Sequence, residues 1–340
     1  MSVISKPAAN LKSYSARNRA GRSSMNAVPL SVPSDGLTIL VVDIDGTNAE
    51  FGFVQNGKPL PCRQLFSVDI LRAGDPIGAR AAMVKEVVAQ SGLSPHVIVN
   101  TVPGLIDTDL DHVLYAGNIL VLNGRALFRH WSRLSGYCVP LDRYAILMLT
   151  GEVFAGIAQE ASRVLGIFFG TGLDAAYLDR GVAFRGGGWA LELGNMRVRG
   201  EGCTIEVVRT DCLETYASGR ALADLATRYG ETAESVFWAA GKAALQDEPV
   251  QFVRDQAYGV AAAVVMLSPT TIVLCGGVLN IDGYPRDNLS QLIEAHAPIS
   301  ETGCSMDLRW ADHGWSNVLD GAPHVVADRW LISPSEIARV

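Results

Sequence analysis

Three short glycine-bearing stretches have residue types suited to holding phosphate. The first is Asp43-Ile-Asp-Gly-Thr-Asn. Gly46 lets a backbone approach phosphate with no Cβ in the way, and turn amides can donate to its oxygens. Thr47 and Asn48 add side-chain donors, and Asp43 at a strand end can hold Mg²⁺ through water. Gly170-Thr171-Gly172 has the same character, and Cys275-Gly276-Gly277 follows a late apolar run. Any one of these is also an ordinary hairpin turn, since Gly, Asn and Asp serve tight turns for conformational reasons. Two at matching positions with a third after a late strand point instead to a bound nucleoside triphosphate.

These turns need strands to hold them. Leu37–Asp43 is a continuous apolar, β-branched run, the pattern of a buried strand. Ala49–Val54 resumes it after the turn, and Asn56-Gly57 turns the chain again into Leu60–Val68. Helical spacing over Ala79–Gln90 precedes a strand at His96–Val102. A helix at 124–135, a strand near 138–141 and a helix at 146–161 follow. Arg163–Phe169 restarts the pattern, ending in Gly170-Thr171-Gly172 before a strand at Asp174–Leu178. Helices are expected at 214–228, 232–245 and 249–267, and a strand at Thr271–Leu274. Two strand–turn–strand openings make a coarse internal repeat. Alternating strands and helices with glycine turns at strand ends predict an α/β fold of two related lobes with a cleft between them.

Composition narrows the function classes. The chain has 340 residues with 49% hydrophobic side chains and 19% charged ones, the balance of a folded protein. Its 28 basic and 35 acidic residues give a net charge of −7. Five of the basic residues (Lys6, Lys12, Arg17, Arg19, Arg22) lie in the first 36 positions beside one acid, Asp35, so the remainder is more acidic still. An acidic body lacks the clustered Lys and Arg that nucleic acid requires. Residues 1–36 carry no apolar run of secretory type and are expected to be a disordered extension. A start at Met25 and an organellar transit peptide are the alternatives. No apolar stretch reaches membrane-spanning length, so no membrane partner is expected. The cysteines (62, 138, 203, 212, 275, 304) form no CxxC pair and read as mostly buried thiols of a reducing, cytoplasmic setting.

The segments DIDGTNAEFGFV, VPGLID, GTGLDAAYLDRG, LELGN, CLETYASG and VLCGGVL occur in an order and spacing that resemble the ROK sugar kinases of the actin/hexokinase superfamily. The resemblance runs from about residue 37 to 330. Within the family, DCLETYASGRAL and GGVLNIDGYPRDNL are most similar to bacterial D-allose kinases. It implies a two-lobed actin/hexokinase-like (ribonuclease H-like) fold, with lobes at 37–145 and 146–340 and a C-terminal helix returning to the first lobe. It also implies ATP and Mg²⁺ as cosubstrates, a small sugar as ligand, and a homodimer. Glu192 and Glu214 fall where the family holds sugar hydroxyls, a task suited to carboxylates, which accept strong hydrogen bonds from neighbouring OH groups. Asn118 falls on a third sugar contact, and Asn195 directly follows the sugar motif. Asp43, Gly46, Thr47, Asn48, Gly170, Thr171, Gly172, Gly276 and Gly277 are the implied nucleotide contacts.

Two departures cut against catalysis. Counted back from Gly151-Glu152, the family's Asn-Asp pair, which carries the general base, is here Arg143-Tyr144. A neutral tyrosine with an ordinary pKa of about 10 does not take a proton from a sugar hydroxyl near pH 7. Asp142 is the candidate stand-in. The family's zinc site is also broken. Asn195 replaces its histidine, Ile205 and Val207 stand where two cysteines belong, Cys203 is displaced by two residues, and only Cys212 matches. One ligand cannot build a four-ligand site, so no structural zinc is expected.

The segment 197–209 is then rebuilt for another ligand, has lost its part in catalysis, or packs in another way. Two functions follow from the resemblance: a divergent sugar kinase, or a non-catalytic sugar- or nucleotide-binding pseudokinase. A family repressor would need an N-terminal winged-helix domain, for which 36 unpatterned residues are too few.

Overall fold

In the computed structural model, residues 36–45, 47–72, 74–107, 112–117, 119–137, 139–198, 211–239, 247–303, 305–312 and 314–330 are described. The run TILVVDI forms β1 (Thr38–Ile44), buried along its whole length, and hairpins back as β2 (Asn48–Gln55) and β3 (Lys58–Ser67). A single turn, α1 (Asp69–Arg72), leads to α2 (Pro76–Ser91). This second helix starts three residues earlier than its apolar spacing predicts. Pro76 takes the first helical position, and the Asp75 side chain caps the Ile77 amide at 3.1 Å.

β4 (Val97–Thr101) returns parallel to β1. A small sheet of β5 (Leu105–Asp107), β6 (His112–Tyr115) and β7 (Arg125–Ala126), absent from the sequence reading, precedes α3 (Leu127–Ser135). β8 (Leu141–Asp142) ends the first lobe's sheet and runs into α4 (Tyr144–Phe154). That helix stops well short of residue 161, because the Glu152 side chain accepts the Ile157 amide at 3.0 Å and turns the chain away.

The second half repeats the plan. β9 (Arg163–Phe169), β10 (Leu173–Asp179) and β11 (Val182–Ala183) form an antiparallel meander. The expected helix 214–228 is two pieces, α5 (Glu214–Ala217) and α6 (Gly219–Arg228). Between them Ser218 leaves helical geometry and caps the Ala221 amide. Residues 233–239 of the expected helix 232–245 form turns, and 240–246 lie outside the described residues. α7 (Glu248–Leu267), β12 (Thr271–Cys275), α8 (Arg286–His296), β13 (Asp307–Trp310) and α9 (Trp315–Trp330) follow and complete the described residues.

The two five-stranded sheets have the orders β3-β2-β1-β4-β8 and β11-β10-β9-β12-β13. In both, a three-stranded meander is extended by two strands parallel to its first, so the internal repeat is architectural as well as local. Each lobe has its own core, one around Leu40, Val42, Phe51 and Ile98, the other around Ile167, Leu173, Ala175 and Val260. α9 packs on α4 and reaches β1, β2 and β3, while α4 packs on β9 and β10, so these two helices connect the sheets. Their backbones approach so closely at Gly151 and Gly321 that a Cβ on either would run into the other helix's carbonyl.

Candidate active site

Parallel strands present their carboxyl ends on one edge of a sheet, where α/β folds bind ligands. In the first sheet this edge is a row of Asp43, Thr101 and Asp142, paired in register across β1, β4 and β8. In the second it is the Gly170–Gly172 turn and Gly276-Gly277, since β12 runs parallel to β9 with Cys275 opposite Phe168.

The first turn is folded in on itself. Asp45 Oδ1 accepts the Thr47 amide at 2.5 Å and the Asn48 amide at 2.6 Å. Those amides, expected to face phosphate, are thus taken by an Asx-type turn, leaving the exposed Thr47 and Asn48 side chains as donors. Gly46 lies outside the described residues. Asp43 is buried, accepts a hydrogen bond from the Thr101 hydroxyl, and has its pKa pushed up to about 7 by burial, with Asp45 and Glu50 adding repulsion.

The second turn docks on a helix start. The Gly170 carbonyl accepts the Gly219 amide at 2.8 Å and the Thr171 carbonyl accepts that of Arg220 at 3.1 Å, leaving Thr171 exposed. Beside it, Gly276 has φ +125°, and a Cβ there would strike the Phe169 carbonyl, so only glycine fits. A Cβ on Gly277 would meet nothing within 4 Å, which leaves open space for a ligand's approach.

Of the residues expected to contact sugar, Glu192, Asn195 and Glu214 lie near one another, with Glu214 against this second turn. Glu214 Oε2 accepts the Leu173 amide at 2.9 Å, and Gly194 packs against the Glu214 side chain. Glu192 is held above the ordinary carboxylate range by burial and by the charges of Asp174 and Glu214, against the pull of Arg143. Asn195 Nδ2 donates to Glu192 Oε2 at 3.2 Å. Asn118 lies outside the described residues, as do Cys203, Ile205 and Val207. Cys212 is buried, and no group of three or more His, Cys, Asp or Glu side chains among the described residues is arranged to hold a metal ion.

Asp142 does not take the base's place. Its side chain is fully buried (0% exposed). Its Oδ2 accepts from Arg185 Nη2 at 2.7 Å and Nε at 3.0 Å, and its Oδ1 accepts the Arg143 amide at 2.9 Å. Arg185 in turn donates from Nη1 to Asp328 of α9 at 2.5 Å. A carboxylate saturated by a guanidinium and sealed from solvent cannot meet a substrate hydroxyl, so the expected stand-in is a structural residue.

Tyr144 begins α4. Its phenol is driven above its ordinary value by burial first and then by Asp43 and other acids, which keeps it neutral.

Arg143 is the residue sequence reasoning undervalued. It is 2% exposed, donates to the Ala190 and Ala175 carbonyls and to Asp174 Oδ1, and places Nε 3.0 Å from Glu192 Oε1. The Glu192 contact is an ion pair rather than an aligned hydrogen bond. Burial opposes the guanidinium's charge, but Asp174 and Glu192 outweigh it and raise its pKa. Asp174 was also missed; the signal available was an acid directly after the Gly-Thr-Gly-Leu turn.

Comparison with known proteins bears on the family and the fold. The ROK family profile matches residues 40–329. The N-acetyl-D-glucosamine kinase of Vibrio cholerae is 26% identical over 307 residues, spanning 82% of this chain and 96% of that protein. A ROK family glucokinase from Streptomyces griseus, solved with glucose and AMPPNP, superposes with a TM-score of 0.71 at 24% identity, covering 84% of this chain and 97% of its own. A ROK family transcriptional regulator, homologous to the E. coli MLC protein, superposes at 0.74 with 18% identity over 89% of this chain and 81% of its own. No helix among the described residues is long and apolar enough to cross a membrane.

Proposed function

The chain belongs to the ROK family, and from that premise we propose that it is an ATP-dependent hexose kinase. The observation that carries the reading is Glu214 lying against the Gly170–Gly172 turn, with Glu192 close enough to feel its charge. Hydroxyl-binding carboxylates thereby adjoin a turn suited to the terminal phosphates of ATP. Positioning and charge neutralisation carry most of phosphoryl transfer, and both are supplied here by pre-formed groups.

Asp43 fits a place near the magnesium of MgATP. It is a buried acid crowded by Asp45 and Glu50, and a divalent cation relieves that crowding. Magnesium bound with ATP would neutralise charge developing on the transferred phosphoryl group. Glu192 and Glu214 orient the sugar, Thr171 and the Gly170–Gly172 turn hold phosphate, and Gly276-Gly277 leaves room for the adenosine. Closure of the lobes on ligand excludes water.

Two sugars come first in testing. D-allose follows from the DCLETYASGRAL and GGVLNIDGYPRDNL resemblance, and N-acetyl-D-glucosamine is the substrate in the name of the V. cholerae relative. A coupled ADP-release assay with MgATP and a hexose panel containing both, with D-glucose, is expected to show sugar-dependent ADP formation for at least one. No sugar-dependent ADP from any of them overturns the kinase reading.

A second reading, a pseudokinase that senses its ligand, is favoured by Arg143 engaging Glu192 and by Tyr144 at the base position. Its signature in the same experiment is a sugar-induced rise in melting temperature with no ADP.

A further inference from the structure

We infer that Asp174 is the general base of this active site, relocated from the start of α4 to the start of β10 and positioned there by Arg143. The inference rests on the kinase reading and supplies the group that reading lacks.

Three features of Asp174 suit the role. The first is its direction. Leu173, Ala175 and Tyr177 of β10 belong to the second lobe's core, so Asp174 projects from the opposite face of the strand, toward Arg143 at the N-terminus of α4. The second is its incomplete use. Arg143 Nη2 and the Ala175 amide, the latter at 2.9 Å, both donate to Oδ1, and no described residue donates to Oδ2. The side chain is 37% exposed although the arginine that holds it is 2% exposed. One oxygen is therefore fixed and the other open, as a base needs if it is to keep its geometry while receiving a proton.

The third feature is its neighbours. The Arg143 guanidinium joins Asp174 to Glu192, and Glu214 binds the amide of Leu173, the residue preceding Asp174. Both sugar carboxylates thus flank it, one through a side chain and the other along the backbone. The phosphate turn ends two residues upstream, at Gly172. Asp174 Oδ2 is thus an unengaged carboxylate oxygen placed between the groups that would orient a hydroxyl and the turn that would hold phosphate.

The same arrangement accounts for Arg143-Tyr144. With the base on β10, the first helical residue of α4 need not carry a carboxylate. The preceding position then supplies the cation that holds the relocated one. In the step itself, Asp174 Oδ2 takes the proton of the sugar hydroxyl while that oxygen bonds to the γ-phosphorus. The bond from that phosphorus to the β–γ bridging oxygen breaks, ADP leaves with the electron pair, and the proton later passes from Asp174 to water.

Asp174→Asn tests this, because asparagine keeps an Oδ1 for Arg143 and Ala175 while removing the basic oxygen. The expected result is a fall in kcat of about 10²–10⁴, sugar affinity by calorimetry within about threefold of wild type, and loss of the acid limb of the kcat–pH profile. The double variant Asp174→Asn/Tyr144→Asp, which returns a carboxylate to the family's position, is expected to recover at least about tenfold of the lost kcat.

A wild type that turns over beside an Asp174→Asn enzyme within about threefold of it in kcat overturns this inference alone. A fall in kcat with the acid limb intact also overturns it, since that marks a positioning residue. A wild type that binds MgATP and sugar without turnover overturns the kinase reading together with it.

Discussion

Arg185 and Arg143 are both buried guanidiniums held between two carboxylates, and the two clusters differ in what is left over. Around Arg185, Asp142 is sealed with both oxygens engaged, and Asp328 closes the far side from α9. Around Arg143, Glu192 is largely enclosed, while Asp174 stays 37% exposed with one oxygen unengaged. Residue types alone do not separate the two; Asp142 even lies nearer in sequence to the family's base position. Saturation and exposure decide which acid can do chemistry. The first cluster ties the end of β8 to the chain after β11 and to α9, so it holds elements of both sheets together. The second lies at the proposed sugar site, with one carboxylate open to solvent.

The largest stability effect separating the clusters is expected at Arg185. Arg185→Met removes the partner of a fully buried carboxylate, and breaking such a pair from one side costs about 3–5 kcal/mol. Urea unfolding monitored by fluorescence gives the value, and a loss below about 1 kcal/mol would show that the cluster is not sealed.

Arg143→Met is expected to cost less, about 2 kcal/mol, because Asp174 reaches solvent and Glu192, already held above the ordinary carboxylate range, can take up a proton. It is also expected to loosen sugar binding, since Glu192 loses the cation that orients it. Unchanged sugar affinity by calorimetry would show that Arg143 does not organise the pocket.

Much of this molecule can be read from its sequence because so much of it is local. Continuous β-branched runs became β1 and β9, and the glycine turns lie at the ends of these strands as expected. Helix ends were harder, since α4 is stopped by its own Glu152 and the 214–228 helix is divided by Ser218, both side-chain events that apolar periodicity does not record. The three short strands β5–β7 carry too few residues to show an alternating pattern. Within the proposed site, Glu192 and Glu214 were singled out through family motifs. Asp174 was not, because its role depends on Arg143, 31 positions away, reaching it across the packing of α4 on β10. Asp142 misled for the matching reason: its partners Arg185 and Asp328 lie 43 and 186 positions further along the chain.

Outside both clusters, Asp43 gives a pH-dependent comparison of about 1.4 kcal/mol per pH unit at most. Its folded pKa of about 7 lies above the ordinary value of 3.8, so the fold favours the neutral acid. That contribution is fully present below about pH 4 and is lost as pH rises through 7. Wild type is therefore expected to lose stability relative to Asp43→Asn between pH 4 and 7 and to run parallel to it above pH 8. A difference constant across that whole range would show that Asp43 is not buried as an acid.

The smallest stability effect is expected at Asp174 itself. Ion pairs with an exposed partner contribute little after solvent screening, and asparagine preserves the acceptor for both the Arg143 Nη2 donor and the Ala175 amide. Asp174→Asn should therefore shift stability by less than about 0.5 kcal/mol, in contrast to Arg185→Met. A stability loss comparable to the Arg185 variant would place Asp174 with the sealed cluster and make its effect on rate indirect. A near-neutral change, set beside a large fall in kcat, separates a carboxylate kept for chemistry from one kept for the fold.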